Sequence, residues 1–247
     1  MKKTLLGLLV LFSLHTTAQT LKVAAAANLR YILEEIKVNY EKLNPKARVI
    51  LTIGSSGTLY QQIINGASYD VFMAADKIFP EKLKAQGAII GEVKTYAYGK
   101  LALWSNSIDV KSMNILLSES VKHIAVAKPE LAPYGDRAIQ CLKYYRLYDQ
   151  VKDKLVFADN ISQAAQFAQT GNAEVGFVAL ALVKSPEMKG SYIIPDPKSY
   201  KPVEQTMVLV KGFQYNPGAA KFMKFIMSPA CKPIFEKYGY IVPSTAK

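Results

Sequence analysis

Four short segments combine small polar residues with glycine where an apolar, strand-like stretch gives way to a helical one. They are AAAANL at residues 24–29, GSSGTLY at 54–60, APYGDR at 132–137 and ADNISQ at 158–163. The first N–H groups of a helix have no partner inside the helix, and they carry a partial positive charge. Helix openings of this kind bind anions through backbone donors. These segments therefore indicate the binding of a small anion.

The same segments offer side-chain donors as well as backbone N–H groups. Ser55 and Ser56 supply hydroxyls, and the flanking glycines let backbone N–H groups approach a ligand closely. Asn28 and Asn160 each stand where an N-cap residue is expected. Any one of these features is typical of an ordinary helix cap, so the prediction of an anion site depends on all four segments together.

The chain offers little for catalysis or for binding a metal cation. It contains two histidines, His15 and His123, too few for a His-rich metal site. GSSGT lacks the Lys that follows the last glycine of a P-loop, and it does not match GxSxG. Ser56 has no evident partner base. We expect neither catalytic residues nor direct metal-cation ligands, and a hydrolase is only a distant alternative.

The first residues, MKKTLLGLLVLFSLHTTAQT, have the pattern of a signal peptide. Lys2 and Lys3 precede an apolar run at 5–14, which at roughly ten residues is too short to span a bilayer. Small residues at 16–18 then fit a cleavage site. We expect cleavage after Ala18 and an exported, periplasmic mature chain.

A basic composition can indicate nucleic acid, a membrane surface or anionic solutes as partners. The net charge is +12 over 247 residues, and the lysines are scattered, with no RNP-like or zinc-finger pattern. We therefore expect no nucleic-acid partner. A basic surface would also speed the encounter with a dianion. The two cysteines, Cys141 and Cys231, are expected in different lobes, as free and mostly buried thiols.

Strand-like and helical stretches alternate along the chain. The predicted strands cover residues 21–26, 49–53, 70–73, 96–104, 123–127, 155–158, 174–178 and 203–210. The predicted helices cover 29–43, 59–64, 78–86, 135–145, 162–170, 217–227 and 229–238. Continuous apolar strands between helices are typical of mostly parallel sheets that are covered on both faces.

This order predicts an α/β chain of two lobes joined by two crossing strands, near 94–104 and 203–210. We assign residues 1–18 to the signal peptide, 19–96 and 206–247 to lobe I, and 97–205 to lobe II. One large α/β sheet is the alternative. Ligands of such sheets bind at the carboxyl ends of the strands, so a cleft between the lobes would collect the four helix openings.

Several strings resemble the periplasmic molybdate/tungstate-binding proteins of ABC importers, the ModA-like family. They are AAAANL, GSSGTLYQQI, NGASYDVFMAAD, YAYGKLALW, KPELAPYGDRA and GNAEVGFVAL. They are most similar to the subgroup with Asn, rather than Ser, after the first strand, and the resemblance covers essentially the whole mature chain. It implies the type II periplasmic binding protein fold, with each lobe a mostly parallel sheet flanked by helices.

The resemblance also implies a set of ligand contacts. The family's first-turn residue matches Asn28, and its second-turn serine matches Ser56, with Ser55 adjacent. Tyr134 and Ile161 match residues that contact the anion through backbone N–H groups. We therefore expect these five residues at the site.

Two departures from the family pattern affect the choice of anion. Ala27 belongs to the expected site, but it stands where some members have Thr. Ala179 stands where other members use a Tyr hydroxyl. Because two hydroxyls are missing, the preference between molybdate and tungstate stays open.

The function that the resemblance implies is capture of molybdate or tungstate in the interlobe cleft and delivery to an ABC transporter permease. It implies no cofactor and a monomer. A protein for another small anion, either a sulfate-like oxyanion or an organic anion, is the first alternative. An organic anion would predict an Arg or Lys in the cleft turns, where Arg137 is the nearest candidate.

Overall fold

The computed structural model describes residues 19–212 and 216–243. The predicted signal peptide, residues 1–18, lies outside the described residues. Two five-stranded sheets form the centres of two lobes, so the alternative of one large sheet is wrong and the predicted two-lobe α/β fold is confirmed.

The first sheet has the strand order β2-β1-β3-β10-β4. Its strands are β1 (Gln19–Ala26), β2 (Ala47–Gly54), β3 (Val71–Ala74), β4 (Ile89–Gly99) and β10 (Val203–Val210). β1 is parallel to β2 and β3, and β10 is antiparallel to β3 and β4. Only β10 therefore runs against the other strands, which agrees with the predicted mostly parallel sheet.

The second sheet repeats this arrangement, with the order β7-β6-β8-β5-β9. Its strands are β5 (Leu101–Ser105), β6 (Ile124–Ala127), β7 (Leu155–Ala158), β8 (Val175–Ala179) and β9 (Ser191–Ile193). β6 is parallel to β7 and β8, whereas β5 is antiparallel to β8 and β9. The reversed strand, β5, thus occupies the position that β10 has in the first sheet.

Helices cover the faces of both sheets. They are α1 (Arg30–Leu43), α2 (Ser56–Ile64), α3 (Ile78–Ala85), α4 (Pro133–Tyr144), α5 (Tyr148–Val151), α6 (Ile161–Gln169), α7 (Leu180–Val183), α8 (Pro217–Ile226) and α9 (Lys232–Lys237). In β1, Val23 packs towards α1, α8 and α9, while Ala24 packs towards α2 and α3. This alternation explains why the strand reads as a continuous apolar run. No helix within 19–212 and 216–243 is long and apolar enough to cross a membrane.

The first crossing between the sheets differs from the prediction. Residues 96–104 were expected as one strand, but β4 ends at Gly99 and β5 begins at Leu101, with Lys100 between them. A Cβ atom on Gly99 would collide with the Tyr134 hydroxyl, so the turn requires glycine. β4 also begins earlier than predicted. The sequence prediction missed residues 89–95 because Gly91, with φ of 76°, interrupts the apolar pattern that marks a strand.

Both cysteines are free and buried, as expected. Cys141 packs in the core of the second lobe and Cys231 in the core of the first. Burial raises the pKa of each thiol to about 11, so neither is a reactive thiolate at neutral pH.

Candidate functional site

A small cavity, with a volume of about 10 Å³, lies where the two lobes meet. All six residues predicted for the site line it, together with three neighbours from the same turns and Ala75, which follows β3. The lining residues are Ala26, Ala27, Asn28, Ser55, Ser56, Ala75, Ala132, Pro133, Tyr134 and Ile161. The turns that the sequence singled out are therefore brought together in one place.

The direction of the strands explains why these turns meet. β1, β2 and β3 are parallel, so the residues that follow their carboxyl ends lie along one edge of the first sheet. β6 and β7 are also parallel, so the residues that follow them lie along one edge of the second sheet. The cavity lies between these two edges, where the helices of both lobes begin.

Three backbone N–H groups at the cavity have no acceptor in the described part of the chain. Ser56 and Ile161 are the first residues of α2 and α6, and Tyr134 follows Pro133 at the start of α4. An N–H at this position cannot bond within its own helix. The hydrogen bonds of the neighbouring N–H groups go to other atoms. The three donors are thus available to a ligand.

Ser55 and Ser56 use their hydroxyls differently. Ser55 caps α2: its Oγ accepts from the Thr58 N–H at 3.3 Å and donates to Thr58 Oγ1 at 2.6 Å. Ser56 Oγ accepts from the Ala75 N–H at 3.0 Å, and Ser56 is fully buried. Because that bond uses only a lone pair, the Ser56 hydroxyl keeps its proton to donate into the cavity.

Asn28 does not cap a helix, so its predicted role as an N-cap is wrong. It lies in a 3-10 turn, Ala27–Leu29, and neither this turn nor α1 has a side-chain cap. Its Nδ2 instead donates to Gln205 Oε1 at 2.8 Å and to the Tyr240 hydroxyl at 2.6 Å. Long-range partners therefore hold Asn28, whereas Asn160 does cap α6, as predicted.

The opening of α4 presents backbone rather than side chain to the cavity. Pro133 begins the helix, where its missing N–H costs nothing. A Cβ atom on Gly135 would collide with the carbonyl oxygen of Ala127, so glycine allows α4 to start directly over the end of β6. The Tyr134 hydroxyl points away from the opening, towards Gly99. These packing demands account for the APYG pattern.

Hydrogen bonds join the lobes around the cavity. The Gly57 N–H donates to the Leu131 carbonyl at 2.8 Å. Ser162 Oγ donates to the Ala27 carbonyl at 2.9 Å. Further out, the Tyr31 hydroxyl donates to Glu187 Oε2 at 2.7 Å. The structure is therefore in a closed form, with the cleft shut over the cavity.

The cavity has no cationic side chain among its lining residues. Arg137 is 7% exposed, but its Nε donates to the Lys201 carbonyl at 3.0 Å and a terminal nitrogen donates to that of Pro202 at 3.4 Å. Its other terminal nitrogen pairs with the Asp136 carboxylate. Arg137 therefore holds residues 201–202, where the chain returns from the second lobe to β10. The positive potential in the cavity must come from the helix openings.

One buried carboxyl lies close to this region without lining the cavity. Burial raises the pKa of Asp76 from 3.8 to about 6. The bond from the Phe79 N–H to its Oδ1, at 3.3 Å, and the charge of Arg137 oppose this rise.

The two positions that depart from the family pattern have different environments. Ala27 lines the cavity, and its carbonyl is engaged by Ser162. Ala179 is fully buried at the end of β8, paired with Leu101, and does not line the cavity. Of the two positions, only Ala27 lies in the cavity wall, so only there does the cavity lack a hydroxyl that relatives have.

Sequence reasoning missed several residues that shape the site. Gln205 and Tyr240 hold Asn28, Ala75 bonds to Ser56, and Leu131 meets Gly57 across the cleft. A glycine flanked by polar residues was the only sequence signal for the last contact. No local pattern marks the others, because each acts across a long stretch of chain.

Comparison with known proteins agrees with this architecture. Residues 21–241 match the family described as bacterial extracellular solute-binding protein. The molybdate-binding protein ModA of Rhodobacter capsulatus is 37% identical over 96% of this chain and 94% of its own. ModA of Azotobacter vinelandii is 38% identical over 90% of each chain.

A solved structure gives the same result. The periplasmic molybdate-binding protein of Azotobacter vinelandii superposes with a TM-score of 0.86 at 36% identity, over 91% of this chain and 100% of that one. The resemblance noted from the sequence is thereby confirmed. The chain belongs to the bacterial extracellular solute-binding protein family, and the two relatives described above are named molybdate-binding proteins.

Proposed function

We propose that this protein captures molybdate or tungstate in the cleft between its lobes and delivers the anion to an ABC transporter permease. The observation that carries the proposal is the convergence of three unpaired N–H groups, those of Ser56, Tyr134 and Ile161, on one buried cavity. The Ser56 hydroxyl adds a side-chain donor, and Asn28 lines the cavity beside it. Ser55 and Ala27 complete the wall beside them.

The chemistry of these donors fits a fully ionised oxyanion. Such an anion accepts hydrogen bonds at every oxygen and donates none, so it matches a cavity that offers N–H and O–H groups. Helix openings stabilise its charge without a buried cation, whose desolvation would be costly. The relatives named for molybdate binding support the choice of anion.

The test is titration of the purified protein with molybdate, tungstate, sulfate and phosphate. Trp104 is fully buried in β5 and does not line the cavity, so calorimetry and melting temperature are better readouts than its fluorescence. We expect molybdate and tungstate to bind far more tightly than the other two. Because sulfate presents similar oxygens, discrimination against it must come from the size of the cavity. Equal affinity for sulfate or phosphate would contradict the ligand assignment.

The transport cycle that we propose begins with export and ends at the membrane. Cleavage after Ala18 releases a monomeric chain into the periplasm, where the open form captures the anion and the lobes close over it. The closed form then docks on the permease. The three hydrogen bonds between the lobes support a stable closed state. Mass spectrometry of the periplasmic fraction would test the cleavage site.

We further propose that the lobes pivot where the chain passes between the sheets. The predicted boundaries at 96/97 and 205/206 each fall within a strand of the first sheet. Lys100 and residues 200–202 are the corresponding junctions between strands. Hydrogen exchange with and without molybdate should change most at these junctions and at the cleft.

Two rival functions make different predictions. A binding protein for an organic anion would place a cation in the cleft. Arg137 instead donates its hydrogen bonds to the backbone carbonyls of Lys201 and Pro202. A hydrolase would need a base beside Ser56, whose Oγ is bonded to the Ala75 N–H. We expect no turnover of ester or phosphate substrates. Measurable turnover that Ser56→Ala abolishes would support the hydrolase.

A further inference from the structure

The Asn28 side chain is held by one end of its amide only. Nδ2 donates to Gln205 Oε1 and to the Tyr240 hydroxyl, at 2.8 and 2.6 Å. Oδ1 is buried as well, but no described residue donates a hydrogen bond to it. Asn28 is 2% exposed and lines the cavity. A carbonyl oxygen therefore lacks a donor at the edge of the proposed anion site.

An oxyanion cannot supply this missing donor. Molybdate and tungstate are fully ionised at neutral pH and only accept hydrogen bonds. With the amide in this orientation, Oδ1 would face another acceptor while the donor, Nδ2, stays committed to Gln205 and Tyr240. This orientation is thus the wrong one for the ligand.

A half-turn of the Asn28 amide removes the conflict. The two ends of an amide have nearly the same shape, so hydrogen-bond partners decide which way it points. After the turn, Nδ2 faces the anion, and Oδ1 accepts from the Tyr240 hydroxyl. Gln205 turns its amide too, so that Nε2 donates to Asn28 Oδ1. It then gives up its 3.2 Å bond to the Val203 carbonyl.

Tyr240 is well placed to donate in this second arrangement. It is 4% exposed, and its ring packs edge-on against Phe235 with the centroids 5.8 Å apart. Burial raises the pKa of the Tyr240 hydroxyl above its usual value, so the hydroxyl keeps its proton. Its hydroxyl already reaches the backbone carbonyl of Asn28, at 3.5 Å. A fixed ring and a retained proton allow Tyr240 to accept from Asn28 in one state and donate to it in the other.

We propose that Tyr240 and Gln205 are positioning residues for the anion site. They hold the Asn28 amide so that it presents Nδ2 to a bound oxyanion. Neither residue lines the cavity, so each acts through Asn28. This inference rests on the proposed function, because it requires a ligand that only accepts hydrogen bonds.

The test is a double-mutant cycle on molybdate affinity, measured by isothermal titration calorimetry. Tyr240→Phe keeps the ring and removes only the hydroxyl. In the native background we expect it to weaken molybdate binding about tenfold. In the Asn28→Ala background we expect a change below about twofold, because no amide remains to be positioned. An equal loss in both backgrounds would give Tyr240 a general structural role and overturn the proposal.

Tyr96→Phe is the matched control. Tyr96 is another buried tyrosine packed on Phe235, and its hydroxyl has no hydrogen-bond partner within the described residues. We expect this variant to bind molybdate as the native protein does, and a loss equal to that of Tyr240→Phe would overturn the proposal. If Tyr240→Phe fails to fold, Gln205→Met removes the other partner of Asn28 and enters the same cycle with the same expectation.

The experiment separates this inference from the proposed function. Native protein that binds neither molybdate nor tungstate would refute the proposed function itself. Native protein that binds molybdate, together with a Tyr240→Phe variant of unchanged affinity, would refute only the positioning role.

Discussion

Gly57 and Leu131 meet across the cleft with no space between their backbones. The Gly57 N–H donates to the Leu131 carbonyl at 2.8 Å. A Cβ atom on Gly57 would stand 2.9 Å from Leu131 Cα, closer than real Cβ contacts come, and also 2.9 Å from Cζ of Phe79 in its own lobe. The partly exposed Phe79 ring can move aside more easily than the Leu131 backbone, so the opposite lobe imposes the main requirement for glycine here.

This contact predicts that Gly57→Ala weakens closure more than folding. A methyl group here obstructs the closed form, at a cost of about 1–3 kcal/mol. Molybdate affinity, measured by calorimetry, should therefore fall roughly tenfold to hundredfold. The melting temperature without ligand should fall little, because alanine is the better helix former in α2.

Gln61→Ala serves as the control, since Gln61 is exposed on the same helix. It should change neither affinity nor melting temperature. Unchanged molybdate affinity in Gly57→Ala would mean that the ligand-bound form does not close as this structure does.

Ser162→Ala should weaken binding without touching the cavity wall. Ser162 Oγ donates to the Ala27 carbonyl at 2.9 Å, so the bond is made only when the lobes are together. A neutral hydrogen bond contributes about 0.5–1.5 kcal/mol. Because the anion selects the closed form, we expect molybdate affinity to fall by about twofold to tenfold, mainly through faster release. Stopped-flow displacement would measure this rate.

Gln166→Ala, at an exposed position on the same helix, should leave the release rate as it is. A release rate equally unchanged in Ser162→Ala would exclude a role for this bond in holding the lobes closed.

Local chemistry explains how much of the site could be predicted from the sequence. Asn160 was recognisable as a cap because a cap bonds to residues only two or three positions away. Strands followed by such caps also indicated two α/β lobes. The residues at helix openings that line the cavity could therefore be found without a structure.

The residues that were missed depend on contacts between distant parts of the chain. Asn28 reads as a cap, yet its partners Gln205 and Tyr240 are 177 and 212 positions away. The break at Lys100 was hidden for the same reason. The requirement for Gly99 comes from Tyr134, on a helix of the other lobe. Only the folded chain brings these groups together.

Ser56→Ala and Ser55→Ala should separate ligand binding from helix capping. Ser56 keeps a proton to donate, so its loss should cost about 1.5–3 kcal/mol of binding to a charged ligand. The Ser55 hydroxyl is hydrogen-bonded to Thr58, so its loss should lower the free energy of unfolding by about 0.5–2 kcal/mol. It should change molybdate affinity less than the loss of Ser56 does. Calorimetry and urea denaturation of both variants measure the two effects. A larger loss of affinity in Ser55→Ala would reverse the assignment of the two hydroxyls.

Asp76 predicts a dependence of stability on pH. Burial raises its pKa in the folded protein to about 6, from 3.8. Below the lower value the carboxyl is protonated in both states and costs nothing. As pH rises, the unfolded chain loses this proton first, so the folded state becomes progressively less stable until the folded pKa is passed. Above that, the penalty stays constant at about 3 kcal/mol.

Asp76→Asn should remove this penalty, since the amide stays neutral and its Oδ1 can still accept from the Phe79 N–H. We expect the variant to melt at a higher temperature than the native protein at about pH 7.5, and the difference to shrink towards about pH 4. Asp149→Asn, at a carboxylate that is 89% exposed, controls for the change in net charge. Thermal unfolding across this pH range is the measurement. A gain in melting temperature that is the same at both ends would show that relief of some other strain, and not the titration of Asp76, stabilises the variant.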